Sequence, residues 1–99
     1  MRVISGKFKG LKLKNPINFK IRPTTDRMKE AVFSMIESQK YSSSIVGKCF
    51  LDLFSGSGSI GIEAFSRGAQ NVYMIENNRY SLELIKQNII KLNLSKEEK

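Results

Sequence analysis

The sequence predicts an α/β fold, and three observations in the middle of the chain predict it. An apolar run from Phe50 ends on Asp52, and a glycine-rich turn follows, Ser55-Gly56-Ser57-Gly58-Ser59-Ile60-Gly61. A helix-forming stretch to Arg67 and Gly68 leads into a second apolar run, Val72-Tyr73-Met74-Ile75, which closes on Glu76. Strand, glycine turn, helix, strand and terminal acid make the first unit of a parallel nucleotide-binding sheet. Gly56, Gly58 and Gly61 let the chain turn tightly and let a ligand approach the backbone. Glu76, twenty residues beyond Gly56, stands where a carboxylate accepts hydrogen bonds from ribose hydroxyls.

The elements before this unit follow from local pattern. Val3, Ile4, Phe8, Leu11 and Leu13 alternate loosely with lysines, and Gly6 and Gly10 mark turns. That pattern predicts a β-hairpin over residues 2–14 with one packed and one basic face. Asn15-Pro16-Ile17-Asn18 reads as a turn, and Phe19-Lys20-Ile21-Arg22 as a short extended piece before Pro23. Thr24, Thr25 and Asp26 are all competent N-caps for a helix whose apolar stripe would be Met28, Ala31, Val32, Met35 and Ile36. Arg27, Lys29, Glu30 and Glu37 fall largely off that stripe. The serine run 42–44 and Gly47 form the best linker, dividing a basic N-terminal hairpin arm and helix (1–41) from a βαβα unit (42–99).

After the central unit, Asn77 or Asn78 can cap a last helix. Its predicted buried stripe is Leu82, Ile85, Ile89 and Leu92, widened by Leu84 and Ile90, with Asn88 on the surface. Ser95 to Lys99 is a charged tail.

Composition narrows the chemistry. Among 99 residues there are no histidines and one cysteine, which excludes an internal disulfide, Cys/His zinc sites and histidine base catalysis. Cys49, at the head of an apolar run, is expected as a small core residue. No apolar run approaches the roughly 20 residues of a membrane helix, and residues 1–7 lack a signal-peptide core, so a cytoplasmic location is expected. The net charge is +8, and it sits at one end. Residues 1–29 hold nine Lys/Arg against Asp26 alone, while residues 30–99 are balanced at eight of each sign. A basic arm beside a neutral nucleotide unit points to a polyanionic partner, most simply nucleic acid. The alternative is a solvated lysine-rich surface.

Asp52 discriminates between cofactors. Dinucleotide-binding proteins usually place the first glycine directly at the strand end, whereas here an acid precedes Gly56 by four residues. A carboxylate there suits the cationic amino-acid moiety of S-adenosylmethionine, or else caps the N–H groups of its own loop.

The run Asp52 to Ala64, with Ser66-Arg67-Gly68-Ala69 and Glu76 behind it, resembles motif I and the following acidic strand end of class I methyltransferases. The opening ten residues, Met1-Arg-Val-Ile-Ser-Gly-Lys-Phe-Lys-Gly10, and Arg22-Pro-Thr-Thr-Asp-Arg-Met-Lys-Glu30 are more specific. Together they resemble the bacterial 16S ribosomal RNA guanine-N2 methyltransferases of the RsmD type, over essentially the whole chain. The resemblance implies S-adenosylmethionine over the glycine turn and methylation of a guanine exocyclic amine in small-subunit RNA. Asp52, Phe54, Gly56, Ser57 and Gly58 would line the cofactor, Glu76 would hold its ribose, and Asn77 would lie near its adenine. Phe54 reads equally as a core aromatic, and Gly61 reads as a close-packing position. Arg2, Lys7, Lys9, Lys12, Lys14, Arg22 and Arg27 are the candidate RNA contacts, with no membrane or metal partner. The cluster from Arg22 to Arg27 also reads as a helix cap with surface arginines.

One departure from the family pattern stands out. Its members carry an Asn/Asp-Pro-Pro-Tyr/Phe motif that holds the target amine and stacks on the flipped base. Pro16 and Pro23 are the only prolines here, both upstream of the glycine turn, so no residue is assigned a catalytic role. Two parallel strands alone also leave edges unpaired and apolar faces uncovered. The expectation is therefore the N-terminal part of such an enzyme, truncated before the catalytic motif, with a C-terminal half as the missing partner. The alternative is a non-catalytic remnant that binds RNA or cofactor.

Overall fold

Two short parallel strands carry the fold: β1 (Cys49–Asp52) and β2 (Asn71–Met74), with Cys49 opposite Asn71 and Asp52 opposite Met74. The computed structural model describes residues 1–16, 24–38, 44–53 and 55–97, with residues 95–97 by backbone alone. Pairing continues past both strand ends: Gln70 N–H donates to the Lys48 carbonyl (2.9 Å), Ile75 N–H to Asp52 (2.8 Å) and Ser55 N–H to Ile75 (3.2 Å). The expected strand–turn–helix–strand order is therefore present, and the pairing delivers the chain to the glycine turn at the C-terminal end of β1.

Helix α1 (Asp26–Ile36) precedes both strands, α2 (Ser59–Ser66) is the crossover between them, and α3 (Arg79–Glu97) follows β2. Phe50, Val72 and Met74 point to the α2 side of the sheet and are half-buried. A Cβ on Gly61 would lie 2.7 Å from the Met74 sulfur and 3.1 Å from a Val72 methyl, so glycine sets how closely α2 lies on β2. The opposite face exposes Leu51, Leu53, Tyr73 and Ile75, each more than half accessible. Cys49 belongs to that exposed face, not to the core as expected, because the alternation of β1 turns odd-numbered residues away from α2.

Helix α1 starts where its caps predict. The Thr25 hydroxyl accepts the Met28 N–H at 3.1 Å. Its buried stripe differs from the expected one by a residue. Phe33 and Lys29 are buried, Val32 and Ile36 pack against the core, and Met28 and Met35 are exposed. Positions 29, 32, 33 and 36 form one helical face, and hydropathy missed it because the face begins with a lysine. Phe33 stacks on Phe50 at 6.0 Å and joins Ile45, Ala64 and Ala69 in one hydrophobic cluster.

The N-terminal segment differs from a regular hairpin. Residues 1–13 reverse direction, but only Arg2 and Lys12 form an antiparallel bridge. The Val3, Gly10 and Leu13 N–H groups bond across the segment to the Leu11, Val3 and Met1 carbonyls, but the donors between them turn to α2: Ile4 and Ser5 N–H to the Glu63 carboxylate, Phe8 N–H to the Ser66 hydroxyl and Lys7 N–H to the Ser66 carbonyl. The segment is thus docked on α2. Val3, Phe8 and Leu13 are buried with Ile62 and Leu92, contributing about 1.5–3 kcal/mol apiece. Helix α2 lies between this segment and the sheet, which explains why it is buried on nearly every side.

Helix α3 begins after Asn78, whose side-chain oxygen accepts the Ser81 N–H at 3.0 Å. Ser81, Leu84, Ile85, Asn88 and Leu92 are its buried positions, while Leu82 and Ile90 are exposed and Ile89 is intermediate. Asn88, expected on the surface, is completely buried because it continues the line of Leu84 and Ile85 by a turn. The expected Asn15–Asn18 turn is described only at Asn15 and Pro16. The extended piece 19–22, Pro23 and most of the serine linker lie outside the described residues.

Candidate functional site

The glycine turn is built by hydrogen bonds that need no ligand. Gly58 N–H donates to the Ser55 carbonyl at 2.8 Å, closing a four-residue turn with Gly56 in second place at φ +54°. That φ favours glycine, and a Cβ there would meet nothing within 4 Å, so the turn is open above Gly56. The Ser55 hydroxyl donates to the Asp52 carbonyl at 3.1 Å, fastening the turn to the strand end.

Glu76 closes the site from β2. Its Oε1 accepts the Gly56 N–H at 3.0 Å and its Oε2 the Asn78 N–H at 2.9 Å. These N–H groups, Asn78 first, then Gly56 and more weakly Asn77, hold its carboxyl below the usual range against the opposing effect of burial. A carboxylate oxygen has two acceptor positions, so each retains capacity for a hydroxyl donor after its backbone bond. Open space over Gly56 and a carboxylate acceptor beside it fit a nucleoside bearing a ribose diol, as in the adenosine part of S-adenosylmethionine.

The other candidate cofactor residues fall as follows. Asp52 is half-buried at the end of β1, at the same C-terminal end of the sheet as Glu76. Ser57 is buried, its hydroxyl 3.6 Å from the Met1 sulfur and its carbonyl accepting from Asn88. Gly58, at φ +84°, precedes α2, and a Cβ there would press on Ile85 at 3.2 Å. Asn77 is exposed beside Glu76. Phe54 lies outside the described residues.

A second region carries the basic residues. Arg2 and Lys12 face each other across the single bridge, and Lys12 and Lys14 share the exposed side of an alternating stretch around buried Leu13. A groove of about 400 Å³ beside them is lined by Met1, Arg2, Lys12, Leu13, Asn15 and Asp26. Arg2 pairs with Asp26 at 3.1 Å. The Lys7 ammonium lies 4.4 Å over the Phe65 ring, and Lys9 and Arg27 are exposed. Arg22 lies outside the described residues.

Under the N-terminal segment is a buried charge cluster that sequence reasoning missed. Glu63 accepts from Ile4 N–H (2.9 Å), Ser5 N–H (3.1 Å) and Arg67 Nε (2.9 Å), with the Lys29 ammonium at 3.7 Å. Lys29 also donates to the Arg2 carbonyl at 2.5 Å, and burial pushes its pKa down against the pull of Glu63. The available signal was an acid flanked by Ile62 and Ala64 in a helix of small and apolar residues. Among the described residues no group of three or more His, Cys, Asp or Glu could hold a metal ion, and no helix is long and apolar enough to cross a membrane.

Fold and turn together define the class: a Rossmann-like α/β unit of the methyltransferase kind. Over 94% of the chain, it superposes on the solved structure named "Putative methyltransferase yhhF from Escherichia coli" with a TM-score of 0.77 and 33% identity, covering 47% of that chain. The chain belongs to the family described as conserved hypothetical protein 95, the RsmD family, whose model matches residues 1–99. Across 96 residues it is 42% identical to "Putative rRNA methyltransferase YlbH" of Bacillus subtilis, covering 97% of this chain and 50% of that protein. It is 41% identical over 87 residues to ribosomal RNA small subunit methyltransferase D of Escherichia coli K12, covering 87% of this chain and 41% of that protein. The chain thus spans half or less of the length of these relatives.

Proposed function

We propose that this chain is the cofactor-binding and RNA-contacting part of an S-adenosylmethionine-dependent methyltransferase that acts on the exocyclic N2 amine of a guanine in small-subunit ribosomal RNA. The observation that carries the reading is Glu76 holding the Gly56 N–H at the open side of the glycine turn. When bound, S-adenosylmethionine supplies an electrophilic methyl group. Glu76 orients the ribose through the acceptor capacity left on its carboxylate, and Asp52 attracts the cofactor's ammonium from the adjacent strand end. Asn77 borders the adenine, and Gly56 to Gly58 leave room for the nucleoside. Phe54 belongs to the same set. Arg2, Lys7, Lys9, Lys12, Lys14, Arg22 and Arg27 form the surface for RNA phosphates, and the names of the relatives support that partner.

The test is an amide NMR titration of the 99-residue chain with S-adenosylmethionine beside Glu76→Ala. Saturable shifts at residues 56–58 and 76–77, lost in the variant, are expected. Shifts that survive the substitution, or cluster elsewhere, would overturn the placement of the cofactor.

A further inference from the structure

Asn88 joins two segments far apart in the chain through one fully buried amide. Its Oδ1 accepts the Lys14 N–H at 2.7 Å, and its Nδ2 donates to the Ser57 carbonyl at 3.0 Å and, more loosely, to the Lys14 carbonyl at 3.4 Å. The orientation of the amide follows from these partners, since its oxygen must meet the N–H and its nitrogen the carbonyls. A buried amide left without partners is costly, so the three groups are held in one arrangement. A second contact joins the same regions, the Ser57 hydroxyl against the Met1 sulfur, and the Met1 ammonium donates to Asn15 Oδ1 at 2.6 Å.

We infer that Asn88 is a positioning residue that couples the glycine turn to the basic N-terminal segment, so that RNA contact at one strengthens cofactor contact at the other. The inference rests on the proposed function for the identity of the two ligands. Its physical route is short. Lys12 and Lys14 present their side chains to solvent, and a phosphate engaging them acts on the backbone that Asn88 holds. The other end of the amide holds Ser57, which lies between Gly56 and Gly58. Those two glycines allow small backbone rotations that stiffer residues would resist. Neither ligand needs to touch Asn88, and linkage makes the effect reciprocal.

Two experiments on the full 99-residue chain test this. The first needs no ligand. Leu13→Ala loosens the segment beside Lys14, and hydrogen exchange at the Gly58 amide should rise with it, while exchange at the Leu82 amide, bonded to the Asn78 carbonyl in the first turn of α3, should not. An unchanged Gly58 would overturn the coupling.

The second compares the wild type with Asn88→Asp, which keeps an oxygen for the Lys14 N–H but sets a second oxygen against the Ser57 carbonyl. Binding of S-adenosylhomocysteine is measured with and without a saturating fragment of unmodified small-subunit RNA. In the wild type, RNA should tighten cofactor binding by about 5- to 10-fold, within the usual range of coupling between sites. In Asn88→Asp both ligands should still bind, with the mutual effect reduced to less than twofold. A merely structural Asn88 would instead lower both affinities and leave the ratio unchanged, which would overturn the inference. No RNA binding by the wild type would sink the proposed function itself, and the ligand-free exchange result tells that failure apart from failure of the junction.

Discussion

The Glu76 carboxylate accepts the Gly56 N–H at 3.0 Å, so the end of one strand fixes the turn that follows the other. The same oxygens that would meet a ribose thus shape the place where it sits. A turn that is formed before a ligand arrives spares the cost of ordering it on binding.

The first prediction concerns Glu76→Gln. The amide can accept only one of the two N–H groups and turns its own donor toward the other. Loss of roughly 1.5 kcal/mol at neutral pH is expected, the low end for a hydrogen bond to a charged group, together with at least tenfold weaker S-adenosylhomocysteine binding. The pH dependence has a definite sign. Because the folded pKa lies below the unfolded value of 4.5, the contribution is present above that pH and is lost as pH falls through the lowered folded value. Urea denaturation across pH 2–7 should show the wild type and Glu76→Gln converging at the acid end.

The second concerns the buried ions. Glu63→Ala leaves the buried Lys29 ammonium without its counter-ion, held only by the Arg2 carbonyl, and leaves the Ile4 and Ser5 N–H groups without their acceptor, at a cost of about 3–5 kcal/mol. Lys29→Met leaves Glu63 with Arg67 and both N–H groups and removes a desolvated charge, so it should cost less than about 1.5 kcal/mol. Burial lowers the Lys29 pKa below 10.5, so the unfolded chain binds the extra proton between the lowered value and 10.5, and stability from this group rises with pH across that window. Thermal midpoints of the two variants, at neutral and alkaline pH, check both the asymmetry and the sign.

These two cases show what a linear sequence discloses. That Glu76 would stand near Gly56 was legible from the spacing of the strand–turn–helix–strand unit, although its bond to the Gly56 N–H was not. Lys29, Glu63 and Asn88 were not, because each is polar and acquires its reason for burial from a segment distant in sequence. Glu63 meets Ile4 and Ser5, and Asn88 meets Lys14 and Ser57. Hydropathy instead selected Met28 and Met35, which the structure exposes, since periodicity cannot tell a lysine with a buried partner from one in water. The N-terminal segment fell short of a regular ladder for a related reason: the N–H groups of Ile4, Ser5, Lys7 and Phe8 found acceptors on α2.

The third prediction separates two glycines with the same backbone conformation. Gly6 and Gly10 both have φ +90°. A Cβ at Gly10 would meet nothing within 4 Å, whereas at Gly6 it would lie 2.0 Å from the Ser66 carbonyl oxygen. Gly10→Ala should cost about 1–2 kcal/mol from backbone strain alone. Gly6→Ala must also move the 5–8 loop off α2, breaking the Lys7 and Phe8 bonds to Ser66, so its loss should be at least twice as large. Parallel urea curves, with exchange at the Lys7 and Phe8 amides, distinguish strain from undocking.

The last prediction addresses the basic surface. Lys12 and Lys14 stand on one exposed side of the docked segment, while Arg2 beside them is engaged by Asp26. If phosphates bind there, Lys12→Gln with Lys14→Gln should weaken RNA binding at low salt and reduce the slope of log affinity against log salt by about 0.7 for each lost contact to single-stranded RNA. Asp26→Asn should act the opposite way, releasing Arg2 and removing a like charge from the phosphate path. Its affinity gain should shrink as salt rises, because exposed charges are screened over about 8–10 Å at physiological ionic strength. Affinities of all three chains between 50 and 300 mM salt make the comparison. Parallel slopes for the wild type and the double variant would place the RNA elsewhere on the molecule.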